Sequence, residues 1–365
     1  MTDEKLYQVQ RTVHDHVSDT RFYALMNREH SNILQAGAAL CSVLLITLLS
    51  ILLPACSTGG TSEGQNDAIP SSAPSPNAEA SGTDEASSSS SAGPKANKAS
   101  TPLEKPARDE LLALLDEKTA SSLIELACRN ADDAWIAAHP AAYAVFRPHI
   151  QEKSLKLAAD EPLAAAYVRG LPERFPAYEG PDYSAPALDS NAPSPEVTES
   201  VFPHLYQWDL RWGYTMYDGD AFGLSGCGPT AMAMVYQGLT GKSDMTPYDM
   251  GQIAFAGGYV AEDYAGTSNG YFSFASEWLG LQCWEIETST ESLVQALQSG
   301  NPVIANMGPG TFSQIGHYIA VTGITNWGKV VVNDPYSVVR SSQLWDPDIV
   351  TSEAVMLYAF AAPPQ

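Results

Sequence analysis

The sequence predicts an α+β fold for residues 201–365. Three observations predict it. Helix signals come first along this stretch and strand-like runs come later. Two of those runs are joined by only three residues, a length that pairs strands antiparallel. Trp208, Trp212, Trp278, Trp284, Trp327 and Trp345 all fall here, with many Tyr and Phe, so a dense core can form. Helices segregated from an antiparallel sheet define the α+β class.

The elements follow in order. Pro229 to Leu239 reads as a helix, with Pro early, the apolar run AMAMVY, and Gly241 after its end. Thr246-Pro247 opens a second helix, and Asp249 sits in its first turn. Thr288 and Glu291 have capping-box spacing ahead of LVQALQS, and Gly300 closes that helix. The strand-like runs are PVIANM (302–307), HYIAVTGIT (317–325), KVVVNDP (329–335) and AVMLYAF (354–360). Asn326-Trp327-Gly328 is the turn between the second and third.

Upstream, residues 107–179 read as a small helical region. Leu111, Leu114 and Leu115, then Leu123, Ile124 and Leu126, recur at helical spacing. Asp132 and Asp133 follow Asn130, which complements a helix dipole. Pro140, Pro148, Pro162 and Pro172 limit helix length. Two roles stay open for this region: a helical spacer, or a pro-region that binds substrate or inhibits. Cys128 continues the apolar pattern and is expected to be a buried, inert thiol. Residues 180–200, rich in Pro, Ser and Asp, form a linker.

Residues 57–106 contain no aromatic side chain and are dominated by Ser, Ala, Gly, Pro and Thr. Such a stretch buries too little apolar surface to offset its ordering entropy. It is expected to be a tether spanning about 40 Å r.m.s.. Ahead of it, Ile33 to Leu53 is a run of 21 residues without a charge. About 20 apolar residues cross a bilayer. Arg11, Arg21 and Arg28 precede the run, and no Lys or Arg follows until Lys95. That asymmetry keeps the arm 1–32 inside and places the bulk of the chain outside. Two anchors are compatible with segment 33–56. Leu53-Pro54-Ala55-Cys56 resembles a bacterial lipobox, which implies lipidation at Cys56; translation from Met26 would then give an ordinary signal peptide, MNREHSNIL leading the apolar run. The alternative is an uncleaved transmembrane helix. Both tether the chain to the cell envelope, facing out.

Composition narrows the function. The 365 residues carry 42 acidic and 19 basic side chains, a net charge of −23. That balance argues against nucleic-acid binding, which needs a basic face, and against docking on anionic lipid through a polybasic patch. Cys41 and Cys56 lie in or beside the apolar run, leaving Cys128, Cys227 and Cys283. Three cannot all pair, so a reactive thiol is worth seeking. Cys283 reads as a core residue, and its pairing with Cys128 stays open.

Cys227 stands in Ser225-Gly226-Cys227-Gly228-Pro229 at the start of the first helix. Unpaired N–H groups and the helix dipole there favour a thiolate. The bland reading is a buried cap Cys. His317 opens a strand-like run, where an imidazole is accessible as a base to a thiol. Asp334 ends the strand that pairs with it, and a carboxylate there can orient the ring. Asp334-Pro335 also fits a turn. Gln207, in YQWDLRWG, supplies a side-chain amide that can join a backbone N–H in an oxyanion hole. The competing reading is a surface Gln.

QWDLRWG, SGCGPTAMAM, GHYIAVTG and VNDPY, in that order, resemble the bacteriocin-processing (double-glycine leader) cysteine peptidase family, in its secreted or anchored branch. The resemblance covers residues 200–365 and, more loosely, 107–179. It implies a papain-like fold, in which an N-terminal helix carrying the Cys packs on an antiparallel sheet carrying His and Asp. It further implies Cys227 as nucleophile, His317 as general base, Asp334 as orienter and Gln207 as oxyanion donor, with no metal or cofactor. Gln207 lies 20 residues before the Cys instead of a few, and these 365 residues contain no transporter domain. Leader cleavage therefore does not follow. The expectation is an envelope-tethered cysteine peptidase acting on a peptide or protein through an acyl-enzyme. Hydrolysis of peptidoglycan stem peptides and an inactive binding module of the same fold are the alternatives. Residues 201–365 hold four Lys or Arg, which favours a neutral or basic substrate.

Overall fold

The computed structural model describes residues 103–177, 180–188, 202–261 and 266–362. The arm, the segment 33–56 with Cys56, and most of the tether lie outside the described residues. No helix among the described residues is long and apolar enough to cross a membrane.

Five helices come first: α1 (Lys105–Leu114), α2 (Glu117–Leu126), α3 (Ala131–Ala138), α4 (Pro148–Asp160) and α5 (Ala165–Arg174). Short polar side chains start two of them. Asp116 accepts from the Thr119 N–H at 3.0 Å, and Asn130 accepts from the Asp133 N–H at 2.9 Å. Pro148 opens α4, where its missing N–H costs nothing. Pro172 departs from expectation, because it lies inside α5. Its absent N–H would orphan the Val168 carbonyl one turn back. The Tyr143 hydroxyl donates to that carbonyl instead, at 2.9 Å. Cys128 also departs from expectation. α2 ends at Leu126, so the helical period no longer applies, and Cys128 is exposed.

Leu111, Leu123, Ile136, Leu155 and Leu171 form a core that continues without a break into Tyr206, Trp208, Tyr214 and Leu224. The helices therefore pack on the start of the C-terminal region, inside one compact unit, Ala96–Gln365.

That region begins with a hairpin, β1 (Met216–Tyr217) and β2 (Asp220–Ala221). Asp218 and Gly219 both have positive φ, 56° and 66°, as a two-residue hairpin turn requires. Four helices follow: α6 (Phe222–Ser225), α7 (Cys227–Thr240), α8 (Pro247–Ala256) and α9 (Tyr271–Leu279). Then come β3 (Gln282–Ile286), α10 (Thr290–Gln298), β4 (Val303–Met307), β5 (His317–Ile324) and β6 (Val330–Asn333). The chain ends with α11 (Val338–Ser341), β7 (Leu344–Trp345), α12 (Pro347–Glu353) and β8 (Ala354–Ala361). α8 carries its capping box, Thr246 with Asp249. α10 is capped by Ser289, one residue later than the Thr288–Glu291 spacing indicates.

The six strands β3 to β8 make one antiparallel sheet in the order β3-β8-β4-β5-β6-β7. α7 packs against β5. Met232, Val235, Ile304, Ala320 and Phe360 fill that side, while Val303, Ile319, Val321, Val332 and Leu357 join Leu293 and Val350 on the other. Both faces are covered, which is why the strands read as nearly continuous apolar runs. Cys283 lies half-buried on the edge strand β3, and burial pushes its thiol pKa up. Cys128 and Cys283 are both free.

Candidate active site

Cys227 is the first residue of α7. Its helix starts with no side-chain cap, so the first-turn N–H groups remain for other acceptors. Gly228 lets the neighbouring loop come close, since a Cβ there would lie 2.9 Å from the Thr267 side chain. Burial opposes ionisation of the thiol. The hydrogen bond and charge of His317, with N–H groups of Tyr318 and Gly228, outweigh it and hold the Cys227 pKa below its ordinary value.

His317 opens β5 and is 8% exposed. Residue 320 pairs with residue 333, so the chain leaving β6 returns beside the start of β5. His317 Nε2 thereby lies 2.7 Å from Asp334 Oδ1. This leaves Nδ1 as the ring nitrogen for Cys227. Burial alone would lower the His317 pKa. The Asp334 charge and hydrogen bond reverse that and, with the thiolate, push it up to about 9.

Asp334 is buried and held from several sides. Its Oδ1 also accepts the Tyr336 N–H at 2.7 Å and the Ser337 N–H at 3.2 Å. Arg340 Nε donates to Oδ2 at 2.5 Å. Burial would raise this carboxyl's pKa, but His317 and Arg340 hold it well below the usual carboxylate range. The turn expected from Asp334-Pro335 and the contact to His317 thus coexist, one carboxylate serving both.

Gln207 is buried, 2% exposed, and not on the surface. Its backbone N–H donates to Pro335 O at 2.9 Å, and its Nε2 donates to Gly223 O at 3.0 Å. It thus bridges the Asp334 turn and the segment leading to Cys227. An amide nitrogen has two protons, so one Nε2 proton remains for a further acceptor.

Three further residues shape the site and escaped the sequence reading. Arg340 grips Asp334. The Tyr336 ring stands edge-on to the His317 ring, with centroids 6.2 Å apart. Ser341 Oγ accepts the Asp334 N–H at 2.9 Å. All follow Asp334 within seven residues, so a cation and hydroxyls clustered after an Asp-Pro turn are the available signal.

The arrangement joins thiol, imidazole and carboxylate through hydrogen bonds, with an amide donor anchored to the segment that leads to the thiol. Residues 200–358 match the family model described as Peptidase_C39 like family. Among solved structures, similarity is found to the peptidase domain of Streptococcus ComA, a bi-functional ABC transporter involved in quorum sensing. Identity is 21%, over 38% of this chain and 93% of that one, with a TM-score of 0.30. No curated protein matches. Residues 200–358, a helix-borne Cys packed on an antiparallel sheet in the papain-like manner, are thus similar to the C39-like peptidase family.

Proposed function

We propose that the chain is an envelope-tethered cysteine hydrolase that cleaves a peptide bond. The observation that carries this reading is the 2.7 Å contact of His317 Nε2 with Asp334, made beside a thiol whose pKa is depressed. Cys227 Sγ attacks the scissile carbonyl carbon and forms a C–S bond. The Cys227 backbone N–H and Gln207 Nε2 receive the developing oxyanion. The imidazolium Nδ1 gives its proton to the leaving amine as the C–N bond breaks. His317 then takes a proton from water, which attacks the thioester and releases the acid and the thiol. Asp334 keeps the ring turned so that Nδ1 meets the thiol throughout.

The apolar segment 33–56, through its own helix or a lipid on Cys56, would hold this domain outside the membrane. The tether 57–106 gives it reach. Peptide and protein substrates follow, and stem peptides of the cell wall lie within that reach. The low count of basic residues in 201–365 favours a neutral or basic peptide.

Iodoacetamide alkylation of Cys227 in the full chain, read by mass spectrometry from pH 5 to 10, tests the reading. Fast labelling near pH 6 that is lost in His317→Ala is the expected result. Labelling that rises only near ~8.5, the value of an ordinary thiol, and ignores the His substitution would leave a binding module of the same fold.

A further inference from the structure

α4 runs from beside the Cys227 segment to beside the Asp334 turn, and it holds a polar contact at each place. On the first side, Lys153 Nζ lies 2.8 Å from Asp220 Oδ2 and 3.4 Å from Ser225 Oγ. Ser225 Oγ also donates to Asp220 Oδ2, at 2.9 Å. Asp220 is fully buried, and Ser225 stands two residues before Cys227. On the second side, Glu161, the C-cap that follows α4, is 1% exposed. Its Oε2 accepts the Ser337 hydroxyl at 3.0 Å and the Val338 N–H at 2.7 Å. Ser337 belongs to the turn whose N–H groups hold Asp334 Oδ1, and Val338 opens the helix that carries Arg340.

A spacer has no reason to bury a carboxylate against a partner more than a hundred and fifty residues away. Removing Glu161 from water carries a penalty of several kcal/mol unless its lone pairs are met. The structure meets them with Ser337, Val338 and Val339, at and just after the Asp334 turn, together with the local N–H of Leu163. Lys153 and Glu161 are eight residues apart, so about 12 Å of helix joins the two contacts. A helix transmits position along its axis with little give. Its middle, at Lys153, and its C-cap, at Glu161, are therefore fixed to the two segments whose relative placement sets the Cys227–His317–Asp334 array.

We infer that α4 is a positioning element of the thiol site, with Lys153 fixing the Cys227 segment through Asp220 and Ser225, and Glu161 fixing the Asp334 turn through Ser337 and Val338. This rests on the hydrolase reading only for its consequence in catalysis; the placement of Asp334 is testable by itself. The helical region is then neither a detachable spacer nor an inhibitory pro-region. It is part of the machinery that keeps the carboxylate on the imidazole.

The test uses the full chain with Glu161→Ala, Glu161→Gln and Lys153→Met. Lys156→Ala is the control, since Lys156 pairs on the open face of the same helix with Asp160. The His317 imidazole is titrated by NMR with labelled histidine, and Cys227 alkylation is timed at pH 6. Glu161→Ala is expected to lower the His317 pKa by a unit or more and to slow labelling about tenfold, the rate equivalent of one unit. Glu161→Gln keeps an acceptor and should recover most of both. Lys153→Met should slow labelling severalfold with a smaller change at His317, and Lys156→Ala should change neither. Folded Glu161→Ala with wild-type His317 titration and wild-type labelling overturns the inference. If Glu161→Ala does not fold, Lys153→Met decides, and labelling at the wild-type rate overturns it. A wild-type thiol that labels only near pH 8.5 removes the hydrolase reading, while the His317 titration still decides whether Glu161 places Asp334.

Discussion

Asp334 sits where burial should favour its neutral form, yet it stays charged because everything around it donates. His317, two backbone N–H groups and Arg340 leave its oxygens nothing to gain from a proton. The same charge is what keeps His317 protonated. Asp334→Asn removes the charge and keeps the shape. The burial that lowers the imidazole pKa is then opposed only by the thiolate, so the pKa falls from about 9 toward or below the ordinary 6.5. The high-pH limb of kcat/KM on a peptide substrate is expected to move down by about two units or more, because leaving-group protonation needs the imidazolium. An upper limb that stays near 9 would place the acid elsewhere. The three residues of this array were legible in the sequence because each stands at an element boundary with its own local signature: a Gly-flanked helix start, a strand opening, a strand end before Pro. Arg340 and Glu161 were not. Glu161 meets Ser337 across 176 residues, and no periodicity or spacing encodes a contact made only by tertiary packing.

At the scale of elements, the strands with long apolar runs and the helices with Pro and Gly punctuation were readable. β3 and α9 were not. The five residues of β3, QCWEI, are mostly exposed on a sheet edge and lack a clean alternation. The aromatic run YFSFASEWL in α9 favours strand by propensity, and packing of Tyr271 and Phe272 in the core overrides it. The junction of α5 with α6 was equally hidden, and it is tight. Tyr167 on α5 donates its hydroxyl to Gly213 O at 3.0 Å, and its ring lies against Gly223 on α6. A Cβ at Gly223 would run into the Tyr167 ring and hydroxyl, which are fully enclosed and cannot swing away. Gly223→Ala is therefore expected to cost about 1–3 kcal/mol of stability by overpacking, measured by urea unfolding. Because Gly223 also accepts from Gln207, the strain falls on the segment that ends at Cys227. A neutral effect would mean that α5 and α6 are free to separate.

For the whole molecule, the ion pair at the site governs how stability depends on pH, and the two partners act with opposite sign. His317 has a raised folded pKa, so its contribution is complete below 6.5 and is lost as pH climbs through about 9. Cys227 has a depressed folded pKa, so its contribution is complete above 9.0 and is lost as pH falls through the folded value. In the part of that window above the folded Cys227 value, the folded chain holds a thiolate and an imidazolium, while the unfolded chain holds a neutral thiol and a neutral imidazole. Both states bind the same number of protons, and the slope of stability with pH from this pair is near zero. Cys227→Ser deletes one partner. The serine hydroxyl does not titrate in this range, but His317 still faces Asp334 and keeps a raised pKa. The variant is then expected to lose up to about 3 kcal/mol between pH 6.5 and 9 relative to the wild-type curve, the equivalent of its remaining shift. Urea unfolding of both chains at half-unit pH steps measures this, and subtracting one curve from the other cancels the other histidines and the general repulsion of a chain with net charge −23. Parallel curves would mean that Cys227 and His317 do not share a charge pair, and the thiolate would have to be stabilised by the first turn of α7 alone.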